Sequence, residues 1–258
     1  MRRIPLLAAA ALLALYAVPA RAERLVVSLS SHRVAITSIF SGADLVLFGT
    51  IEPDPGKPAL SGGYDLVVTV TGPKQTFRTR RKAREFGIWV NVDSREFVRV
   101  PSYLAVLSNR ATSEIASLDR RRRLQIGLDN YLLPQRIGPD LADTVRDDPF
   151  RVAFVRIEDR QKLYREEPDA VGFLTPTVFR TVIPLPADVR TGHYGIDVML
   201  FAKGALITRT TSALEVTKAG IEQYVAETAR DHGILYGLVT ALMALITGWI
   251  ASVAFRRD

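Results

Sequence analysis

The sequence predicts a mainly β protein with an α-helical insertion. The fold class is an antiparallel β-sandwich of immunoglobulin-like kind, single or double, followed by one C-terminal transmembrane helix. Three observations point there. Short runs that alternate apolar and polar residues, closed by glycine or proline, fill residues 23–109 and 169–218 without a βαβ rhythm. Residues 110–168 exchange that two-residue period for a helical one. Near the end, "ILYGLVTALMALITGWIASVAF" holds no charge from Ile234 to Phe255.

Taken in order, residues 1–22 have the form of a signal peptide. Met1-Arg2-Arg3 is a basic start, Ile4 to Val18 an uncharged Ala/Leu-rich run, and "PARAE" places Ala20 and Ala22 in the small-x-small arrangement that predicts cleavage before Glu23. An uncleaved anchor is the alternative, disfavoured by the shortness of the run and by Pro5.

The first β region, 23–109, opens with "RLVVSLS", "RVAITSIF" and "DLVLFGTIE". It continues with "YDLVVTVTGPKQTFRT", where Gly72-Pro73 reads as a hairpin turn. Tyr64, Leu66, Val68 and Val70 alternate with Asp65 and Thr69, as in a half-buried strand. In "RTRRKAREFGIWVN" the cations Arg78, Arg80, Lys82 and Arg84 share parity with the apolar Phe86, Ile88, Val90 and Val92. One unbroken strand would bury four unpaired charges with four core residues, which is prohibitive. A turn or bulge between Ala83 and Gly87 is therefore expected, leaving the basic stripe in solvent while "GIWVNV" begins a core strand containing Trp89.

The insertion, 110–168, reads as about two helices, "TSEIASLDRRRRLQIGLDNYLLPQ" and "DPFRVAFVRIEDRQKLYREE". Asp148 suits an N-cap and Pro149 the first helical position. Phe150, Ala153, Phe154, Ile157 and Tyr164 fall on one face, with Glu158 and Lys162 paired outside. The second β region, 169–218, includes an alternating run at Ile196, Val198 and Leu200 and a turn at Lys203-Gly204. Residues 219–233 read as a juxtamembrane helix and 234–255 as a membrane helix about 33 Å long at about 1.5 Å per residue. Arg256 and Arg257 in the tail, 256–258, place that end in the cytoplasm, so the signal peptide and the anchor give one topology: the N-terminal domain in the periplasm of a bacterial inner membrane. No repeat of 20–50 residues is present.

The net charge is +7 over the whole chain. Setting aside Arg2, Arg3, Arg21, Arg256, Arg257 and Asp258 leaves 29 basic and 26 acidic side chains, a net of about +3 for the exported part. The high charge thus reflects targeting and topology more than a nucleic-acid partner. The absence of cysteine excludes disulfides and thiol catalysis.

No motif names a catalytic residue, a cofactor or a metal ligand. His32, His193 and His232 are isolated, "ALSGG" lacks the first glycine of a nucleophile elbow, and "PGKP" is no phosphate loop. The pairs Asp147-Asp148, Glu158-Asp159 and Glu166-Glu167 point apart on helices. Arg120 to Arg123 fan around one helix. The stripe Arg78, Arg80, Lys82, Arg84 is better aligned. It is a candidate surface for an anionic partner or lipid head group, with protection of a sheet edge as the competing role. In the anchor, Gly237, Ala241, Ala244, Gly248 and Ser252 present small residues at a spacing suited to helix association.

"TGPKQTFRTRRKAREFGIWVN", "VPSYLAVLSN" and "LPADVRTGHYGIDVMLFAKGALI", between a signal peptide and one C-terminal span, resemble the alphaproteobacterial putative transmembrane protein family. Gly72-Pro73, Gly87 to Asn91 and Pro101-Ser102 carry the resemblance. It implies no activity and no site residues; an association with anion permeases is its weaker implication. The expected function is a non-enzymatic accessory or binding module, with the membrane and a protein partner, or a second copy, as its contacts. An envelope hydrolase around His193, or a glycan- or lipid-binding module, are the alternatives.

Overall fold

The structure, a computed structural model, describes residues 23–53, 63–137, 140–143, 146–220, 229–230 and 233–254. The signal peptide and the tail fall outside these residues, as does most of the juxtamembrane helix.

Three sheets dominate. The first has the order β1–β3–β12–β11, from Arg24–Leu29, Gly42–Glu52, Val178–Pro186 and Val171–Phe173. The second has six strands, β10–β7–β4–β13–β14–β2, from Tyr164–Glu167, Leu104–Ser108, Asp65–Thr71, Gly192–Ala202, Ala205–Lys218 and Arg33–Ile36. The third runs β5–β6–β8–β9, from Lys74–Glu85, Ile88–Pro101, Pro134–Ile137 and Asp140–Asp143.

Alternation puts Leu45, Leu47 and Ile51 of β3 with Phe179 and Ile183 of β12 on the inner face of the first sheet. Leu66, Val68 and Val70 of β4 with Ile196, Val198 and Leu200 of β13 line the inner face of the second, and all belong to one buried cluster. Tyr103 links the two layers, its hydroxyl donating to the Pro184 carbonyl at 2.6 Å. Unlike an ordinary half-buried strand, β4 is buried on both faces. Its outer residue Val67 packs with Val106, Met199 and Phe201 under Ile115, Ala116 and Ile126.

The all-antiparallel expectation fails at both edges of the six-stranded sheet, where β10 runs parallel to β7 and β2 parallel to β14. Parallel neighbours need long connections, and both pairs have them. Gly72-Pro73 is not a hairpin turn. β4 pairs with β7 and β13, whereas β5 pairs with β6, so the chain changes sheets at this point. Here Gly72 N–H donates to Tyr103 O and Ser102 N–H to Pro73 O. The β4–β7 pair thereby continues as the β5–β6 pair across a hydrogen-bonded joint. The turn at Lys203-Gly204 does close the β13–β14 hairpin, both residues taking positive φ.

The middle region is less helical than its pattern suggests. Two short helices, α1 (Thr112–Ile115) and α2 (Leu118–Leu124), precede a 3-10 turn and the strands β8 and β9, so the "YLLPQ" end of the first expected helix is extended. The second helix, α3 (Pro149–Arg160), starts as its cap predicts: Asp148 Oδ1 accepts from Phe150 N and Arg151 N, both at 2.9 Å. Its buried face holds Phe150, Arg151, Phe154 and Glu158, while Ile157 is exposed. Glu158 therefore points inward rather than toward Lys162. Tyr164 belongs to β10, its hydroxyl donating to Pro101 O at 2.6 Å. Glu166 is exposed but sits on β10 rather than on a helix, and it is engaged: it accepts from Thr112 Oγ1 at 2.8 Å and Leu128 N at 3.0 Å.

The last element, α4 (Gly233–Ala254), runs 22 residues without a charge. On the described residues alone, no helix is long and apolar enough to cross a membrane.

Candidate functional site

The basic stripe lies on an arm. β5 and β6 pair from Lys74↔Pro101 to Glu85↔Ile88 and are joined by Phe86 and Gly87, with φ of 49° and 85°. Two consecutive positive φ values make the primed two-residue turn that suits strand twist, which is why glycine stands at 87. The turn falls within the interval that the parity of the sequence required.

The base of the arm is packed. Phe97 is fully buried and its ring stacks on Phe154 with centroids 4.6 Å apart, Phe77 lies 5.5 Å from the same ring, and the Arg95 guanidinium sits 5.0 Å over Phe150. Among the described residues, β8 pairs with β6 at Glu96 and Phe97 only. From Arg80 outward, among the described residues, the two strands pair only with each other. At about 3.4 Å per residue, Arg80 to Glu85 spans roughly 17 Å.

Cross-strand register decides what each face carries. One face brings together Arg78 with Glu96, Arg80 with Ser94, Lys82 with Asn91 and Arg84 with Trp89. The other carries Arg81 with Asp93, Ala83 with Val90 and Glu85 with Ile88. Between Arg81 and Lys82 the register shifts, leaving Val92 as the extra residue of a bulge. All four sequence-predicted cations are exposed and share one face. Arg78 reaches Glu96 at 3.9 Å, which Arg136 also approaches at 3.5 Å, and Arg84 Nε donates to Gly87 O at 3.3 Å. Among the described residues, Arg80 and Lys82 make no ion pair.

One expectation at this site is overturned. "GIWVNV" does not begin a core strand: Ile88 is 65% and Trp89 67% exposed, and Phe86 at the turn is fully exposed. The apolar residues of β6 enter the core only at Phe97 and Val100, where α3 and the main sheets provide cover. Sequence reasoning therefore missed the exposed apolar tip beside the cations. Its signal was the same parity that revealed the turn, since a turn at Gly87 places Ile88 and Trp89 at the far end of a hairpin.

The other singled-out residues stay apart. Gly237, Ala241, Ala244, Gly248 and Ser252 lie exposed along α4, and a methyl group at Gly237 or Gly248 would meet no described atom within 4 Å beyond its own turn of helix backbone and chain neighbours. His193 is exposed on β13 opposite Glu215, whose carboxylate holds Arg33 at 3.3 Å. Among the described residues, no group of three or more His, Asp or Glu is placed to hold a metal ion. Burial pushes the Tyr194 hydroxyl up to about 12, so it stays protonated as it donates to Arg190 O at 2.6 Å.

A family model described as "Putative transmembrane protein" matches residues 24–257. Among solved structures, the chain is similar to the N-terminal domain of a Streptococcus gordonii adhesin at 9% identity and a TM-score of 0.25. That match covers 75% of this chain and 32% of the other, so the chain spans about a third of that structure's length.

Proposed function

The chain belongs to that family of putative transmembrane proteins, and from this premise we propose a non-enzymatic module of the bacterial inner membrane. α4 anchors it, residues 23–218 stand in the periplasm, and the tail lies in the cytoplasm. Its role is to bind or assist another envelope protein, with a multi-pass permease for anions as one such partner. The exposure of α4 along its described length supports the anchor, because an uncharged helix with no protein cover needs lipid around it. Its small-residue face suits a neighbouring membrane helix, from the partner or from a second copy. The two facing sheets and the Tyr194 hydroxyl bonded to a carbonyl four residues upstream favour the immunoglobulin-like class of sandwich.

The arm carries the functional reading. A two-stranded projection holds Arg78, Arg80, Lys82 and Arg84 on one face with no matching row of acids, which suits an anionic protein surface. Affinity purification of the full chain in mild detergent tests it. Wild type should retain a stoichiometric partner, and serine at all four positions should release it; equal capture by both sinks the reading. Exposed Phe86, Ile88 and Trp89 favour a second reading in which the tip meets lipid head groups. A photoreactive residue at position 86 separates the two, through a protein adduct or a lipid adduct. The envelope-hydrolase alternative has less support, with His193 exposed and Glu215 engaged by Arg33.

A further inference from the structure

The outer face of the six-stranded sheet changes character along β4 and β13. Val67, Met199 and Phe201 lie under the cover of Ile115 and Ile126, but the next outward residues of the two strands are Thr69 and Asp197, paired in register, then Thr71. Above them lies a cavity of about 280 Å3, bounded by Lys74 at the start of β5, Arg123 of α2, Tyr131 and Arg209 of β14. At about 30 Å3 per water this is room for roughly nine waters, or for a small solute that keeps part of its hydration.

Thr69 lines this cavity, is 5% exposed, and its buried Oγ1 has no hydrogen-bond partner among the described residues. Its strand neighbours are Val67, Val68 and Val70, and valine would fill the same volume without a hydroxyl to satisfy. The hydroxyl is thus a buried, unpartnered donor on a residue that lines the cavity. The charges around it do not balance. Arg209 grips Asp197 with two bonds, Nε to Oδ1 at 3.1 Å and Nη2 to Oδ2 at 3.0 Å, so that pair is internally neutral. Lys74 and Arg123 make no ion pair among the described residues, leaving two positive charges at the cavity. Tyr131 adds a hydroxyl that burial, aided by Asp197, keeps protonated.

We propose that this cavity binds a small oxyanion, a phosphate- or sulfate-like group, between Lys74 and Arg123, with the Thr69 hydroxyl donating to one of its oxygens. The site is distinct from the exposed face of the arm and does not depend on the function assigned to that arm. The group can be a free ion or the phosphate of a lipid head group, because the recognising chemistry is the same.

The test uses the full chain in detergent, titrated with inorganic phosphate, with sulfate and with a water-soluble short-chain phosphatidic acid, against chloride at equal ionic strength. Melting temperature and calorimetry are the readouts. A saturable rise in melting temperature with phosphate or sulfate, absent with chloride, is expected. A response only to the short-chain lipid assigns the site to a head group. Thr69→Val and Arg123→Gln should each weaken binding about tenfold, the loss of one hydrogen bond to a charged group. Both should keep the wild-type melting temperature in chloride within a few degrees, which separates lost binding from lost fold. The four-serine arm variant should bind as wild type does. Equal responses to all three anions and chloride, or binding unchanged in both cavity variants, overturns the proposal.

Discussion

At position 158 a carboxylate that helical spacing places beside Lys162 instead lies 5% exposed on the inner face of α3, and Glu158 Oε2 has no hydrogen-bond partner among the described residues. Burial raises its pKa, and Arg190 opposes that only in part. A raised folded pKa means the native state binds the proton more tightly than the unfolded chain does. Stability from this group is complete below about pH 4.3, the unfolded value, and is lost as pH rises through the folded value. Glu158→Gln should therefore flatten the acid side of a urea-denaturation series and leave stability at pH 7 equal or higher. A steeper loss of stability with rising pH in the variant contradicts this assignment. Gly49 raises a different issue at the same scale. It faces Phe179, whose ring would overlap any Cβ added there. Gly49→Ala must displace a fully buried ring, and we expect a loss of about 1–3 kcal/mol by chemical denaturation. Neither environment was legible in the sequence, because spacing assigns a residue to a face but not to what covers that face.

Among the elements, the arm shows most directly what periodicity can and cannot reveal. The need for a turn near Gly87 followed from parity alone, and so did the exposure of Arg78, Arg80, Lys82 and Arg84. The misplacement of Ile88, Val90 and Trp89 in the core came from treating an apolar run as buried wherever it occurs. Cover is a tertiary property, and the tip extends past α3, which supplies it only at the base. Gly72-Pro73 was misread for a related reason: a glycine-proline pair signals that the chain turns, and here it turns from one sheet into another. The N-terminal cap of α3 was legible because Asp148 and Pro149 act through their own backbone neighbours. Serine at 78, 80, 82 and 84 together should leave the denaturation midpoint nearly unchanged, at within about 0.5 kcal/mol per exposed site. Ile88→Ser should be as mild, whereas Phe97→Ala should cost about 3–5 kcal/mol. A large loss from Ile88→Ser shows that something packs on the tip.

For the whole molecule, mainly β architecture and family membership were both visible from strand punctuation and a few segments, while the third sheet and the parallel edges were not. Those features depend on which distant strands meet. Topology is open to a direct measurement. A reporter fused after Asp258 should be active only in the cytoplasm, and one inserted near residue 200 only outside. The opposite pattern removes the reading of both termini.

The strand order also sets a timetable. β3 meets β12 at Leu47 and Thr181, β4 meets β13 at Val68 and Val198, and β2 meets β14 at Val34 and Val216. A polypeptide is made, and where secreted is delivered, from its N-terminus. β3, which has β1 on one side, and β4, which has β7, must then wait for about 130 residues before their second partners emerge, each as an aggregation-prone strand with one unpaired edge. Pairing over such distances closes slowly, in milliseconds to seconds. A nascent chain halted before residue 178 should therefore be protease-sensitive throughout, and resistance should arrive in one step once β13 and β14 are free of the exit channel.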